Sequence, residues 1–126
     1  MVKIKLMIVD DMESVRQSLS TILELTNDLE VIGEARDGLE AIQKLEVLKP
    51  DVVLMDLEMP MLDGLETTQR VKDIYQDIKV VMITIHDSTD NREKAAHVGV
   101  DAFIEKGAPT EILVETIHKV TKKYPK

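Results

Sequence analysis

The chain has no cysteine and no tryptophan, and only one phenylalanine and two tyrosines in 126 residues. The first absence excludes a disulfide framework and a thiolate metal centre, and it fits a reducing cytoplasm. The scarcity of aromatics means that the core has to be built from aliphatic side chains and from some of the seven methionines. Basic residues are also in deficit: 16 Lys and Arg against 24 Asp and Glu leave a formal charge of −8. That balance argues against direct nucleic-acid binding by this domain, which would want a basic face. No apolar run approaches membrane-spanning length, and the N-terminus carries no signal-peptide pattern. A soluble protein of one domain is expected, located in the cytoplasm, with enough chain to enclose a core.

Short apolar runs alternate with longer amphipathic stretches. Strands are expected over Ile4–Val9, Val31–Ala35, Val52–Met55, Val80–Ile83 and Ala102–Ile104. Continuously apolar runs such as 52–55 and 80–83 suit parallel strands covered on both faces. Between them, Val15, Leu19, Ile22 and Leu23 share one helical face, as do Ile42, Leu45 and Leu48, and then Val71, Ile74 and Tyr75. A fourth helix over Asp90–Val98 is short and weakly apolar. The last is expected to begin with Pro109 as its first residue and carries Ile112, Leu113, Ile117 and Val120. Pro50 disfavours helical geometry at Lys49 and closes the second helix. Five βα units imply right-handed crossovers and a doubly wound α/β sandwich of three layers. The domain is expected over residues 1–121, with 122–126 as a tail or linker.

Chemistry gathers at the ends of the apolar runs. Leu6-Met7-Ile8-Val9 runs into Asp10-Asp11, Val52-Val53-Leu54-Met55 into Asp56, Val80-Val81-Met82-Ile83 into Thr84, and Ala102-Phe103-Ile104-Glu105 into Lys106. In open α/β sheets ligands bind outside the carboxyl ends of the strands, where all these groups would meet. Like charges there repel by about 4 kcal/mol per pair at 4 Å, with an effective dielectric near 20. A hard divalent cation relieves this, and Mg²⁺ prefers one or two carboxylates together with water and phosphate oxygens. Asp56 stands singly at the end of the most buried strand and is the best candidate for a nucleophile forming an acyl phosphate. Thr84 and Lys106 are placed to bind the oxygens of a transferred phosphoryl group. Taken singly, Thr84 could merely end a strand, Lys106 could be a surface lysine, and Phe103 could belong to the core. His86, His97 and His118 show no metal-ligand clustering, so solvent or helix-surface roles are expected of them.

The joint pattern resembles the receiver domain of two-component response regulators. It rests on Ile8-Val9-Asp10-Asp11, on Leu54-Met55-Asp56-Leu57-Glu58-Met59-Pro60 with Asp63-Gly64, on Thr84 and on Lys106, in order and at the family's spacing. The resemblance covers Lys3 to about Val120. It implies the flavodoxin-like (CheY-like) sheet order 2-1-3-4-5 and Asp56 as phosphoacceptor from a sensor histidine kinase or a phosphotransfer protein. It further implies direct Mg²⁺ ligation by Asp11, Asp56 and the Glu58 backbone carbonyl, with Asp10 acting through water. Thr84 and Phe103 would form a switch acting on an output face made of the fourth helix, fifth strand and fifth helix, with a phosphorylation-dependent homodimer as one form of output. Val31-Ile32-Gly33-Glu34-Ala35, Asp37-Gly38 and Phe103-Ile104-Glu105-Lys106-Gly107 resemble the NarL/FixJ (LuxR-type) subfamily, whose receivers precede a helix-turn-helix DNA-binding domain.

Departures from the family pattern are informative. Gly107 follows Lys106 where many receivers have a proline, often in a cis peptide, so no cis bond is expected there. Ile85 is bulkier than the small residue usual after the switch threonine. With Glu58 and His86, it is expected to tune the lifetime of the phosphoryl group. Two other functions compete. An aspartyl-nucleophile phosphohydrolase of haloacid-dehalogenase type would carry a second aspartate where Glu58 stands, and would need more chain for a cap. A receiver-like binding module that is never phosphorylated would typically have lost an acidic or lysine position, and none is lost. A flavin carrier is excluded by two aspartates where a phosphate loop would be needed.

Overall fold

The computed structural model describes residues 2–122. Its elements are β1 (Ile4–Val9), α1 (Glu13–Glu24), β2 (Leu29–Ala35), α2 (Gly38–Leu48), β3 (Val52–Asp56), α3 (Gly64–Ile74), β4 (Lys79–Thr84), α4 (Thr89–His97), β5 (Ala102–Glu105) and α5 (Thr110–Thr121). The five strands pair in parallel, in the order β2-β1-β3-β4-β5. This is the doubly wound, CheY-like order expected from the sequence. The chain turns from one side of β1 to the other between β2 and β3, so a crevice for ligands opens at the carboxyl ends of β1 and β3.

Because side chains alternate along a strand, each buried strand feeds two cores. Met7, Val9, Val53, Met55, Val80 and Met82 pack with Ala41 and Leu45 of α2 and Val71 of α3. Leu6, Ile8, Val52, Leu54, Val81 and Ile83 pack on the other face with Leu23 of α1 and Leu113 and Ile117 of α5. Met7, Met55 and Met82 are fully buried, so methionine does supply bulk where aromatics are missing.

Local signals explain most boundaries. Asp37 caps α2 by accepting from the Glu40 N–H at 2.8 Å. Asp63 and Glu66 form a reciprocal capping box at α3, and the Ser88 hydroxyl caps α4. Lys49 ends α2 in the left-handed region, φ 50°, consistent with the helical geometry that the following proline disfavours.

The structure corrects several expectations. Pro109 lies outside α5 as its N-cap, because its ψ of 147° is extended; Thr110 is the first helical residue. Ile74 is 61 % exposed: it is the last residue of α3, and Val71 and Tyr75 already fill that end of the core. Ile112, in the first turn of α5, is likewise exposed. β2 begins two residues earlier than its apolar run, at Leu29. His118 does lie at the surface of α5, as expected, but with a partner: its Nε2 is 2.7 Å from Asp28 Oδ2, joining α5 to the loop before β2. Of the expected tail, residues 123–126 lie outside the described residues. The Lys106–Gly107 peptide is trans.

One close approach ties the fold to the strand ends. Gly64, which opens α3, donates its N–H to Leu57 O at 2.8 Å. A Cβ at this position would lie 2.2 Å from Asp56 O and 2.9 Å from Leu57 Cα, both backbone atoms that cannot swing aside. Gly64→Ala is therefore expected to cost about 1–3 kcal/mol, the range for overpacking a tight site. A urea midpoint matching wild type would refute this.

Candidate functional site

The register of the sheet brings the acidic residues level. Val9 pairs with Met55, so Asp10 and Asp56, one residue further along, emerge side by side. Continuing the alternation of each strand, Asp10 follows Ile8, Asp56 follows Leu54 and Lys106 follows Ile104. All three therefore open on the α1/α5 side of the sheet. Thr84 and Phe103 follow the opposite parity, that of Met82, and Phe103 packs with the α2/α3 core.

Asp10 and Asp56 are 2 % and 5 % exposed, while Asp11 faces solvent. Carboxylate oxygens of the three lie within 4.8 Å of one another, the one cluster of potential metal ligands found among the described residues. The Lys106 ammonium reaches into this cluster, 3.1 Å from Asp10 Oδ2 and 3.3 Å from Asp56 Oδ1. Its own position is fixed by the backbone, since Lys106 N donates to Thr84 O at 2.7 Å. Asp10 is held further by the Met12 N–H, which donates to its Oδ1 at 2.9 Å.

These contacts set the protonation chemistry. Burial, reinforced by the neighbouring Asp10 charge, pushes the Asp56 carboxyl up to about 6, against the opposing pull of Lys106. Burial also works against the charge on Lys106. The hydrogen bond to Asp10 and the fields of Asp56 and Asp10 outweigh it, so the ammonium is held more firmly than an ordinary lysine's. Asp56 is thus a basic carboxylate facing a permanent cation.

Beyond the strand ends lies a second set of polar contacts. The buried Thr84 hydroxyl accepts from the His86 N–H at 2.9 Å. His86 Nε2 lies 3.0 Å from Glu58 Oε2, so two residues expected to tune phosphoryl lifetime touch each other. Ile85, the third, is 62 % exposed just beyond β4. Asn91 Nδ2 donates to His86 O at 2.7 Å. Arg92 makes a two-pronged bond to Asp87 at 2.6 and 2.9 Å and places its guanidinium 4.8 Å from the centre of the Phe103 ring. That bond holds Asp87 below the usual carboxylate range. Sequence reasoning does not reach Asp87, Asn91 or Arg92; the one available signal is a polar cluster around the first turn of an otherwise weakly apolar helix.

The raised Asp56 pKa has a testable consequence for stability. Well below the ordinary carboxyl value of 3.8 the group is protonated in both folded and unfolded chains and costs nothing. As pH rises, the unfolded chain loses its proton first, so stability falls until the folded pKa near 6 is passed. Asp56→Asn cannot ionise. In chelator-treated buffer it should match wild type at about pH 3 and exceed it at pH 7.5 by on the order of 2 kcal/mol. Urea unfolding at both pH values checks this, and a pH-independent difference would contradict it.

Comparison with known proteins agrees with the geometry. Residues 6–118 match the family described as the response regulator receiver domain. The chain is 41 % identical over 116 residues to the response regulator protein VraR of Staphylococcus saprophyticus, covering 92 % of this chain and 56 % of that protein. It thus spans a little over half the length of the curated relatives it matches. Among solved structures, a DNA-binding response regulator of the LuxR family from Staphylococcus aureus superposes with a TM-score of 0.87 at 35 % identity, covering 94 % of this chain and 98 % of that one. The response regulator domain of Thermotoga maritima CheB gives 0.88 at 30 % identity, covering 98 % and 99 %. Among the described residues no helix is long and apolar enough to cross a membrane. The chain belongs to the receiver domain family of two-component response regulators and is related to its LuxR-type members.

Proposed function

We propose that this receiver is a phosphorylation-driven switch in which Asp56 accepts a phosphoryl group from the phosphohistidine of a sensor histidine kinase or phosphotransfer protein. The observation that carries the reading is the Lys106 ammonium set between Asp10 and Asp56, with three carboxylates converging beside it. The donors are all oxygens, which suits Mg²⁺ rather than a softer metal. Asp11 and Asp56 would hold the ion directly, with the Glu58 backbone carbonyl. Asp10 would act through water, since one of its oxygens takes the Met12 N–H and the other faces Lys106. When bound, the ion supplies positive charge against the oxygens of the transferred group.

Asp56, ionised at neutral pH yet poorly solvated, is the nucleophile. Its oxygen forms a bond to phosphorus as the phosphorus–nitrogen bond of the donor imidazole breaks, and the electron pair leaves with the imidazole. Lys106 turns from Asp56 toward the charge that develops on the phosphoryl oxygens. Thr84 gives up its bond from the His86 N–H and donates its hydroxyl to the phosphoryl group, and Phe103 turns inward behind it. The altered face is α4-β5-α5, acting through a partner or through a homodimer. Hydrolysis of the acyl phosphate resets the switch, with Ile85, Glu58 and His86 setting its rate. This is signalling by one's own modification rather than turnover of a substrate. The relatives suggest that the whole protein is a cytoplasmic, DNA-binding transcription regulator with this receiver as its N-terminal half, residues 1–121 forming the domain and 122–126 a linker. With a charge of −8, the receiver itself leaves nucleic-acid contact to another domain.

Incubation with Mg²⁺ and a small-molecule phosphodonor should add the mass of one phosphoryl group, and the gain should vanish with chelator or with Asp56→Asn. No gain in wild type or in Ile85→Ala would favour a binding module that is never phosphorylated. For the phosphorylated protein, Glu58→Ala, Ile85→Ala and His86→Ala should each alter the half-life of the acyl phosphate. Three unchanged half-lives would remove those residues from any tuning role.

A further inference from the structure

We infer that Arg16 is a positioning residue for the cation: it fixes the backbone of Asp10 so that the paired aspartates point into the site. The inference rests on the Mg²⁺ reading above and extends it to a residue outside the acidic cluster.

The need for such a residue is visible in the loop. α1 starts directly after the aspartate pair, and its N-cap is Met12, whose side chain makes no capping hydrogen bond. The turn therefore lacks the usual capping oxygen. In its place the Asp10 carboxylate takes the Met12 N–H, a bond that commits one of its two oxygens to shaping the loop. What holds Asp10 itself is Arg16, one turn into α1. Its guanidinium donates from one terminal nitrogen to Asp10 O at 2.6 Å and from Nε to Glu34 Oε1 at 2.9 Å.

The fork spans two strands. Glu34 lies near the end of β2, and its own carbonyl is held by Lys44 Nζ of α2 at 2.6 Å. The Asp10 N–H donates to Ala35 O at 3.1 Å. Both backbone polar groups of Asp10 are thus engaged, the N–H by β2 and the carbonyl by Arg16. The Arg16 side chain is only 14 % exposed, so the fork sits in a partly dry setting where a charge-assisted bond holds geometry well. A rotation of the peptide that joins Asp10 to Asp11 would turn Asp11 with it. Small errors of this kind are costly for Mg²⁺, which demands near-ideal octahedral geometry.

Arg16 also brings a positive charge onto the backbone of one of the three aspartates, and this gives the test two opposite signs. If charge were all that mattered, Arg16→Gln would remove a competitor of the cation and tighten Mg²⁺ binding. If positioning governs, the same change weakens it, by about tenfold on the scale of lost outer-shell partners at metal sites. Arg16→Lys keeps the charge but cannot fork between a carbonyl and a carboxylate, so it too should weaken binding. Glu34→Ala frees one prong; it should weaken binding less, and should add nothing to Arg16→Gln in the double variant.

The experiment is a calorimetric titration of the purified protein with MgCl₂ at fixed pH, with folding of each variant checked by circular dichroism. Weaker binding in Arg16→Gln and Arg16→Lys, with a non-additive double variant, supports the inference. Equal or tighter binding in Arg16→Gln overturns it while leaving the Mg²⁺ site intact. Absence of any binding by wild type overturns the Mg²⁺ reading and this inference with it. Should Arg16→Gln fail to fold, Glu34→Ala decides, because the Glu34 side chain is 39 % exposed and its removal leaves Arg16 in place; unchanged affinity there overturns the inference.

Discussion

The arrangement depends on one constraint: three carboxylates must coexist at the end of a buried sheet. Two of them are nearly inaccessible to water, and charge buried there is costly unless an opposing charge accompanies it. Lys106 supplies it from the neighbouring edge of the sheet, touching both buried aspartates. The balance is incomplete, as the raised Asp56 pKa shows, and the excess negative charge is what makes the site ready for a cation. A fully neutralised cluster would be a more stable structure and a poorer binding site.

The five candidate residues at the strand ends stand out in the sequence because each follows an apolar run, and an apolar run in a βα repeat has only one end at which polar groups can gather. The strand order, by contrast, follows from the family resemblance that those same residues carry. What stays hidden in the sequence are contacts between positions with no shared periodicity. Arg16 and Glu34 are 18 residues apart, on a helix and on a different strand. His118 and Asp28 are 90 residues apart. Nothing in local pattern pairs such residues; they meet because the sheet order sets α1 and α5 on one face. The exposure of Ile74 escapes for a related reason: helical periodicity names a face but not where the sheet beneath it stops. Pro109 falls one step outside α5 rather than inside it because a proline suits both positions, and only ψ separates them.

Alternation along the strands also divides labour between the two faces. The aspartates and Lys106 continue the parity of the α1/α5 core, whereas Thr84 and Phe103 continue that of the α2/α3 core. The groups proposed to handle the phosphoryl group and those proposed to report it thus stand on opposite sides of the same strand ends. A phosphoryl group on Asp56 lies within reach of both sides only at the edge of the sheet, past the last paired residues. That geometry favours a switch in which a hydroxyl crosses the edge, over one in which the sheet itself deforms.

In the state described here that hydroxyl is engaged as an acceptor. Thr84 Oγ1 accepts from His86 N, and the segment carrying His86 is tied to Glu58, to Asn91 and, through Asp87 and Arg92, to the face of Phe103. All these contacts outside the threonine lie at or near solvent, where each ion pair is worth little. Such a segment can be reset by a modest input, and a new doubly charged group on a buried carboxylate is a larger one. On the proposed reading, the switch needs no strong latch. It needs an exposed, weakly held loop next to a tightly held acidic centre, and the difference in burial between Asp56 and the residues following Thr84 provides that contrast.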